Sequence, residues 1–176
     1  MRKLKLHELG RVSVDDFKKQ KKTPIVIVLD NIRSGLNVGS AFRTSDAFAL
    51  EKIILCGITA QPPHREITKT AIGATSSVTW EYEKEILTCV QNLKAEGYIV
   101  LAIEQVDESI FLQDYAIQTD KKYALVFGNE VKGVSDEIIN EVDACIEIPQ
   151  FGTKHSLNIS VSLGITIWEF AKQLKT

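Results

Sequence analysis

Five short runs of apolar, largely β-branched residues, set apart by polar stretches, constrain this chain more than any other feature. They are Ile25–Leu29, Ile53–Cys56, Tyr98–Ile103, Tyr123–Phe127 and Cys145–Ile148. Runs of this kind suit strands covered on both faces, as in a parallel sheet flanked by helices. Helical stretches lie between them. Over 83–96, Ile86, Leu87, Val90 and Leu93 share one face, and Gly97 stands where a helix would end. Ser135-Asp136-Glu137 opens another helix, with a capping hydroxyl and two acids near its positive end. The alternation predicts an α/β fold, a mostly parallel sheet with helices on both faces.

One stretch supports two readings. Ile159, Val161, Leu163, Ile165 and Ile167 alternate like a strand, whereas Trp168, Phe170, Ala171 and Leu174 continue at helical spacing. A helix over 156–173, with Ser156 as its cap, would be apolar nearly all round. It would then need to bury two faces, one on its own sheet and one on a partner subunit.

Length and composition narrow the function classes. A chain of 176 residues that is 44% hydrophobic supports one domain with a substantial core. Three scattered cysteines (Cys56, Cys89, Cys145) without a C-x-x-C pair argue against a disulfide scaffold and against a zinc site, so no metal is expected. That usage and the lack of a signal-peptide pattern point to a reduced, cytoplasmic setting. No apolar run approaches the roughly 20 residues of a membrane span. The net charge of −2 hides an asymmetry. Residues 1–22 hold eight basic side chains (among them Arg2, Arg11, Lys18 and Lys22) against Glu8, Asp15 and Asp16. Such an arm fits two readings, a contact for a polyanion or a solvated lead-in.

The apolar runs end in polar loops at Asp30-Asn31, Gly57, Gly128-Asn129 and Pro149-Gln150, and open α/β sheets bind ligands at those ends. Neither the dinucleotide fingerprint G-x-G-x-x-G nor the phosphate loop G-x-x-x-x-G-K-[ST] is present. An ordinary nucleotide site is therefore disfavoured, and the loops need another explanation.

Three loops supply it. The first runs from Asp30 to Thr44, with Asn37 placed to cap a helix and Arg43 about one and a half turns later. The second is Gly128-Asn129-Glu130-Val131-Lys132-Gly133-Val134-Ser135, and the third runs from Ile148 to Ser160. Taken singly, each could be a turn or a cap. In this order they match N-x-G-x-x-x-R-T, G-x-E-x-x-G-[LIV]-S and I-P-x-x-G-x-x-x-S-L-N-[VI]-S, and the chain resembles the SpoU (TrmH-type) branch of the SPOUT methyltransferases over roughly residues 24–173.

That resemblance implies a basic N-terminal extension (1–23) ahead of a methyltransferase domain (24–176) whose C-terminal part forms a deep trefoil knot. It selects the helix for the ambiguous stretch and places that helix in a homodimer. It implies S-adenosylmethionine as methyl donor, held largely by backbone groups at Ile103, Glu104, Gly128, Asn129, Gly133, Ile148 and Leu157. The implied reaction is methylation of a ribose 2′-hydroxyl in tRNA or rRNA. Arg43 would hold the target phosphate and acidify the hydroxyl. Its guanidinium is too strong a base, with a pKa above about 12, to take the proton. Asn37 would fix the arginine loop, Glu130 would orient the second motif or the partner's arginine, and Ser156 and Asn158 would line the pocket. His155 is the residue type suited to accept a proton at neutral pH, although the family pattern does not require it.

Two departures stand out. Val131 takes a place where the family often has glycine, and the separate N-terminal RNA-binding domain of many relatives has no counterpart in the first 23 residues. Gln61–Glu66 reads either as a further RNA contact or as a proline-stiffened loop before a short helix. The rival reading of the whole chain is a non-catalytic RNA-binding module that keeps the knotted fold. The presence of Asn37, Arg43, Glu130, Ser156 and Asn158 together argues against it.

Overall fold

A computed structural model describes residues 1–175. The five apolar runs become β1 (Thr23–Asp30), β2 (Leu50–Cys56), β4 (Tyr98–Ile103), β6 (Lys122–Phe127) and β7 (Ala144–Glu147). Two further strands, β3 (Trp80–Glu83) and β5 (Ile110–Phe111), form the edges of a seven-stranded sheet ordered β3-β2-β1-β6-β4-β7-β5. Every neighbouring pair is parallel. The edge strands carry no apolar run because an edge needs no double cover. β3 reads Trp-Glu-Tyr-Glu with none of its residues buried, and β5 is two exposed residues long. Glu83 thus belongs to a strand, and the helix expected over 83–96 is α4 (Ile86–Ala95). Gly97 follows it at φ 84°, the left-handed turn that glycine makes without strain.

Successive residues of the central strands point to opposite faces. Ile25, Ile27 and Leu29 of β1 join one apolar cluster with α1 (Val14–Lys19), α2 (Gly35–Ala47), α3 (Arg65–Ala71) and α6 (Ile159–Leu174). Val26 and Val28 join a second cluster with α4 and α5 (Asp136–Ile139). All five of these β1 side chains are at most 1% exposed, each worth roughly 1.5–3 kcal/mol on burial.

The ambiguous stretch is a helix, α6. Its cap is Asn158 rather than Ser156: the Asn158 Oδ1 accepts from the Ser160 N–H at 2.9 Å. Leu163, Ile167 and Phe170 are buried against the sheet, while Val161, Ile165 and Trp168 are exposed at 48, 40 and 58%. After β7 the chain runs through 148–158 and returns across the fold to set α6 against α2 and β1. This course is consistent with the implied knot.

The N-terminal lead-in is anchored at Phe17, while its other side chains up to Lys21 whose burial is described are exposed. Phe17 of α1 is buried in the first cluster, and the Lys22 ammonium lies 3.2 Å over its ring and donates to its carbonyl. Burial of this one phenyl is worth roughly 1.5–3 kcal/mol and is the arm's main apolar anchor.

Candidate active site

Parallel order brings the ends of β1, β4, β6 and β7 to one rim, so the loops that follow them meet. β4, β6 and β7 open on a cleft of 660 Å³. Of the residues expected there, Ile103, Glu104, Gly128, Asn129, Gly133, Ile148 and Leu157 all line it, as do Glu130, Ser156 and Asn158. His155 lines it too.

The second loop folds on itself through Asn129. The Asn129 and Gly133 backbones exchange hydrogen bonds of 3.1 and 2.8 Å, and the Asn129 Oδ1 accepts from the N–H groups of Val131 and Lys132. Its Nδ2 donates to the Asn31 carbonyl at 2.7 Å, pinning this loop to the first. Both glycines are sterically required. A Cβ on Gly128 would stand 2.2 Å from the Gly133 and Val134 backbone. Gly133 has φ 67°, and a Cβ there would meet the Glu104 carboxylate at 2.2 Å. That carboxylate accepts from the N–H groups of Val134 and Gln105, both at 2.9 Å, and so ties β4 to the second loop.

Glu130 and Asn37 join all three loops. The Glu130 carboxylate accepts from the Arg33 and Ser34 N–H groups at 3.0 Å and from the Asn37 Nδ2 at 3.2 Å. Asn37 in turn accepts from the Asn158 Nδ2 at 3.4 Å. Partial burial pushes the Glu130 carboxyl pKa up, but the hydrogen bonds from these donors outweigh it and hold it below the ordinary carboxylate range. A carboxylate is also favoured at the positive start of α2.

Asn37 is not the helix cap. Ser34 caps α2, its hydroxyl accepting from the Asn37 N–H at 3.3 Å, which frees the Asn37 amide to bridge the loops. Gly35 and Gly39 let α2 cross α3 closely: a Cβ on Gly39 would meet the Ile67 carbonyl oxygen at 2.4 Å. Pro62, Pro63 and His64 lead into α3, where His64 Nδ1 accepts from the Glu66 N–H at 3.3 Å.

Arg43 stands apart. It is exposed and lines a different groove, formed with the N-terminal segment, rather than the cleft of its own chain. It lies six residues beyond Asn37, about 9 Å farther along α2. Sequence reasoning also missed Asn31, Asp136, Ile139 and Glu147. Asn31 has φ 54°, and its Oδ1 accepts from the Ile58 N–H at 3.1 Å, so it organises the end of β1. Its signal was the Asp-Asn pair after a strand, since asparagine tolerates the left-handed region. The other three line the cleft only because the sheet brings β7 and α5 to that rim.

The cleft has apolar walls from Ile103, Ile139, Ile146 and Leu157 and carries Glu104, Glu130, Asp136 and Glu147 against Lys132. Apolar walls suit a planar ring, and an acidic excess suits a ligand with a cationic centre. S-adenosylmethionine, with its adenine and its sulfonium, fits both requirements.

Residues 24–168 match the family described as SpoU rRNA Methylase. Over 161 residues the chain is 32% identical to an uncharacterised tRNA/rRNA methyltransferase of Borreliella burgdorferi, covering 92% of this chain and 69% of that one. It is 30% identical to the mouse tRNA (guanosine(18)-2′-O)-methyltransferase TARBP1, over 85% of this chain but only 9% of that enzyme. With the 23S rRNA (guanosine-2′-O-)-methyltransferase RlmB of Neisseria meningitidis it shares 27% identity over 90% of its own length and 62% of the relative's. The chain thus spans less than two thirds of two of these three relatives. Among solved structures, the AdoMet-bound rRNA methyltransferase from Sinorhizobium meliloti superposes with a TM-score of 0.80 at 27% identity, covering 90% of this chain and 60% of that one. The A. aeolicus TrmH/SpoU tRNA modifying enzyme superposes at 0.81 and 24% identity, covering 92 and 82%, and speaks for the fold. On the strength of the family match over most of its length, this chain belongs to the SpoU rRNA Methylase family.

Proposed function

We propose that the protein is an S-adenosylmethionine-dependent RNA 2′-O-ribose methyltransferase that works on tRNA or rRNA as a homodimer. The observation that carries this reading is the joining of three loops by Glu130, Asn37 and Asn158 around a cleft lined by every residue expected to hold the donor. The donor supplies a methyl group on a positively charged sulfur, which needs an aligned nucleophile more than it needs activation.

The chain's residues supply alignment. Gly128 and Gly133 hold the second loop close to the end of β4, where a side chain would block the approach. Ser156 and Asn158, on the cleft wall, position the ribose. Arg43 does not reach the cleft of its own chain, so it acts on the cleft of a second copy. There its guanidinium holds the phosphate beside the target and stabilises the developing alkoxide, remaining charged throughout. His155 lines the cleft as acceptor for the hydroxyl proton. The exposed stripe of Val161, Ile165 and Trp168 on α6 is the surface assigned to the second copy.

The test is methyl transfer from tritiated S-adenosylmethionine to total tRNA and to rRNA, with the digested RNA resolved by mass spectrometry. A 2′-O-methyl nucleoside that appears with wild type and not with Arg43→Ala is expected. A methyl group found only on bases would overturn the reaction. Calorimetry showing that folded Arg43→Ala has lost S-adenosylmethionine affinity would overturn the role given to that side chain.

A further inference from the structure

A second recess, of 810 Å³, lies between the N-terminal segment and the connection from α3 to β3. Arg11, Arg43 and Lys175 line it, with Asp46 as their acidic counterpart. Asp46 is already engaged, since the Ser77 hydroxyl donates to its carboxylate. Among the described residues, Arg11, Arg43 and Lys175 take part in no ion pair. Lys22 stands nearby: burial pushes its ammonium pKa down and Lys175 adds to that, against the pull of Asp46. The recess therefore gathers more positive charge than its own acids neutralise, on a body whose residues outside the first 22 are net acidic.

Its walls are apolar. Val12 and Val14 on the arm are 55 and 43% exposed, and Ile72 on the opposite side is 68% exposed at φ 49°. That left-handed φ is the cap that ends α3, and it leaves the side chain exposed at the rim of the recess. Arg11, Arg43 and Lys175 among the apolar side chains of Val12, Val14 and Ile72 match a chain that alternates phosphates with flat, apolar base faces. A duplex buries those faces and an unpaired strand offers them.

From these observations we infer that the recess is the substrate-entry groove, in which Arg11 and Lys175 hold backbone phosphates of an unpaired RNA segment and lead it over Arg43. The inference rests on the proposed methyl-transfer reading and adds to it the class of RNA structure and the residues that take it. The basic arm then has a role of its own, because α1, anchored by Phe17, forms one wall.

The experiment compares the full-length wild type with Arg11→Ala/Lys175→Ala and with a charge-matched control, Lys84→Ala/Lys121→Ala, whose residues lie outside the recess. Fluorescence anisotropy follows a labelled 12-nucleotide oligouridine and the same strand paired with oligoadenosine, across a salt series. On oligouridine the groove variant should lose affinity by about tenfold near 0.1 M salt, and its salt slope should fall by roughly 1.4, from two lost single-strand phosphate contacts. The control should match wild type, and calorimetric S-adenosylmethionine affinity should be the same in all three. Unchanged oligouridine binding, or an equal loss in the control, overturns the groove. Equal losses on the single strand and the duplex overturn the unpaired-strand assignment. Methyl transfer is scored separately on wild type. Transfer with unaltered oligouridine binding by the groove variant removes the groove alone, whereas a binding loss in a chain that transfers no methyl removes the proposed activity alone.

Discussion

In the cleft beside Gly128, polar side chains satisfy one another across three loops, whereas in the groove beside Arg43 three cations share a single acid, Asp46, among the described residues. Glu130 takes three donors, Asn129 holds its own loop and the Asn31 carbonyl, and Asn37 bridges to Asn158. Arg11, Arg43 and Lys175 form no ion pair among the described residues. The difference suits the two roles proposed for these regions. A small cofactor binds best to a site built before it arrives, because ordering the site afterwards subtracts from affinity. A polyanion is drawn by charge left unneutralised, with displaced counterions providing much of the free energy.

If the cleft is preassembled, Gly128→Ala should be the most damaging single change to its second loop. The new Cβ would meet backbone, which cannot swing aside, so we expect a loss of about 1–3 kcal/mol in stability by urea titration and S-adenosylmethionine affinity beyond calorimetric detection. Binding within a few-fold of wild type would show the loop to be more compliant than drawn.

The division of labour between copies gives the next largest effect. Arg43→Ala and Gly128→Ala homodimers should each be inactive, yet co-expressed together they should recover about a quarter of wild-type transfer. Half the pairs are then mixed, and one of two sites in each mixed pair is complete. No recovery would place Arg43 in the service of its own chain. Trp168→Glu should shift the protein to monomers in sedimentation and abolish transfer, while leaving S-adenosylmethionine binding within a few-fold.

Smaller effects test the polar junction by pH. Glu130 has its carboxyl pKa held down in the folded state, so its stabilising contribution is complete above the ordinary glutamate range and is lost as pH falls through the folded value. Glu130→Gln should flatten the acid limb of a stability–pH curve and lower neutral stability by about 1 kcal/mol. Asp30 should behave oppositely. Burial pushes its carboxyl pKa up, with the Asn31 amide opposing, so stability is greatest below the ordinary aspartate range and declines as pH rises through the folded value. Asp30→Asn should raise the melting temperature at pH 7 by about 2–4 °C for each kcal/mol recovered, with no gain near pH 3. A gain of equal size at both pH values would show that charge is not the cause.

Legibility from sequence followed burial. The central strands were readable because cover on both faces forces continuous apolar runs, and Gly97 was readable because a left-handed residue ends the helix before it. β3 and β5 were not, since exposed edges leave no run. The three loop motifs were legible as a set, and Gly128, Glu130, Gly133, Ile148, Ser156, Leu157 and Asn158 line one cleft, whereas Arg43 of the first motif lines another groove. The caps were misassigned by position: Ser34 and Asn158 do the work expected of Asn37 and Ser156. Near a helix start, several residues have the chemistry to cap, and only the backbone path decides which one does.

The sequence by itself determined a doubly covered parallel sheet, polar loops at its carboxyl ends and the residue types that any cofactor there would meet. These follow from short-range rules: period, glycine placement and the chemistry of single side chains. Tertiary structure alone decided that Asn37 joins Glu130 to Asn158, that Arg43 faces away from its own cleft, and that the basic arm walls a groove. The physical reason is distance along the chain. Glu130 meets Ser34 across 96 positions and Asn158 meets Asn37 across 121, and contacts that far apart are set by strand order, which no local pattern encodes.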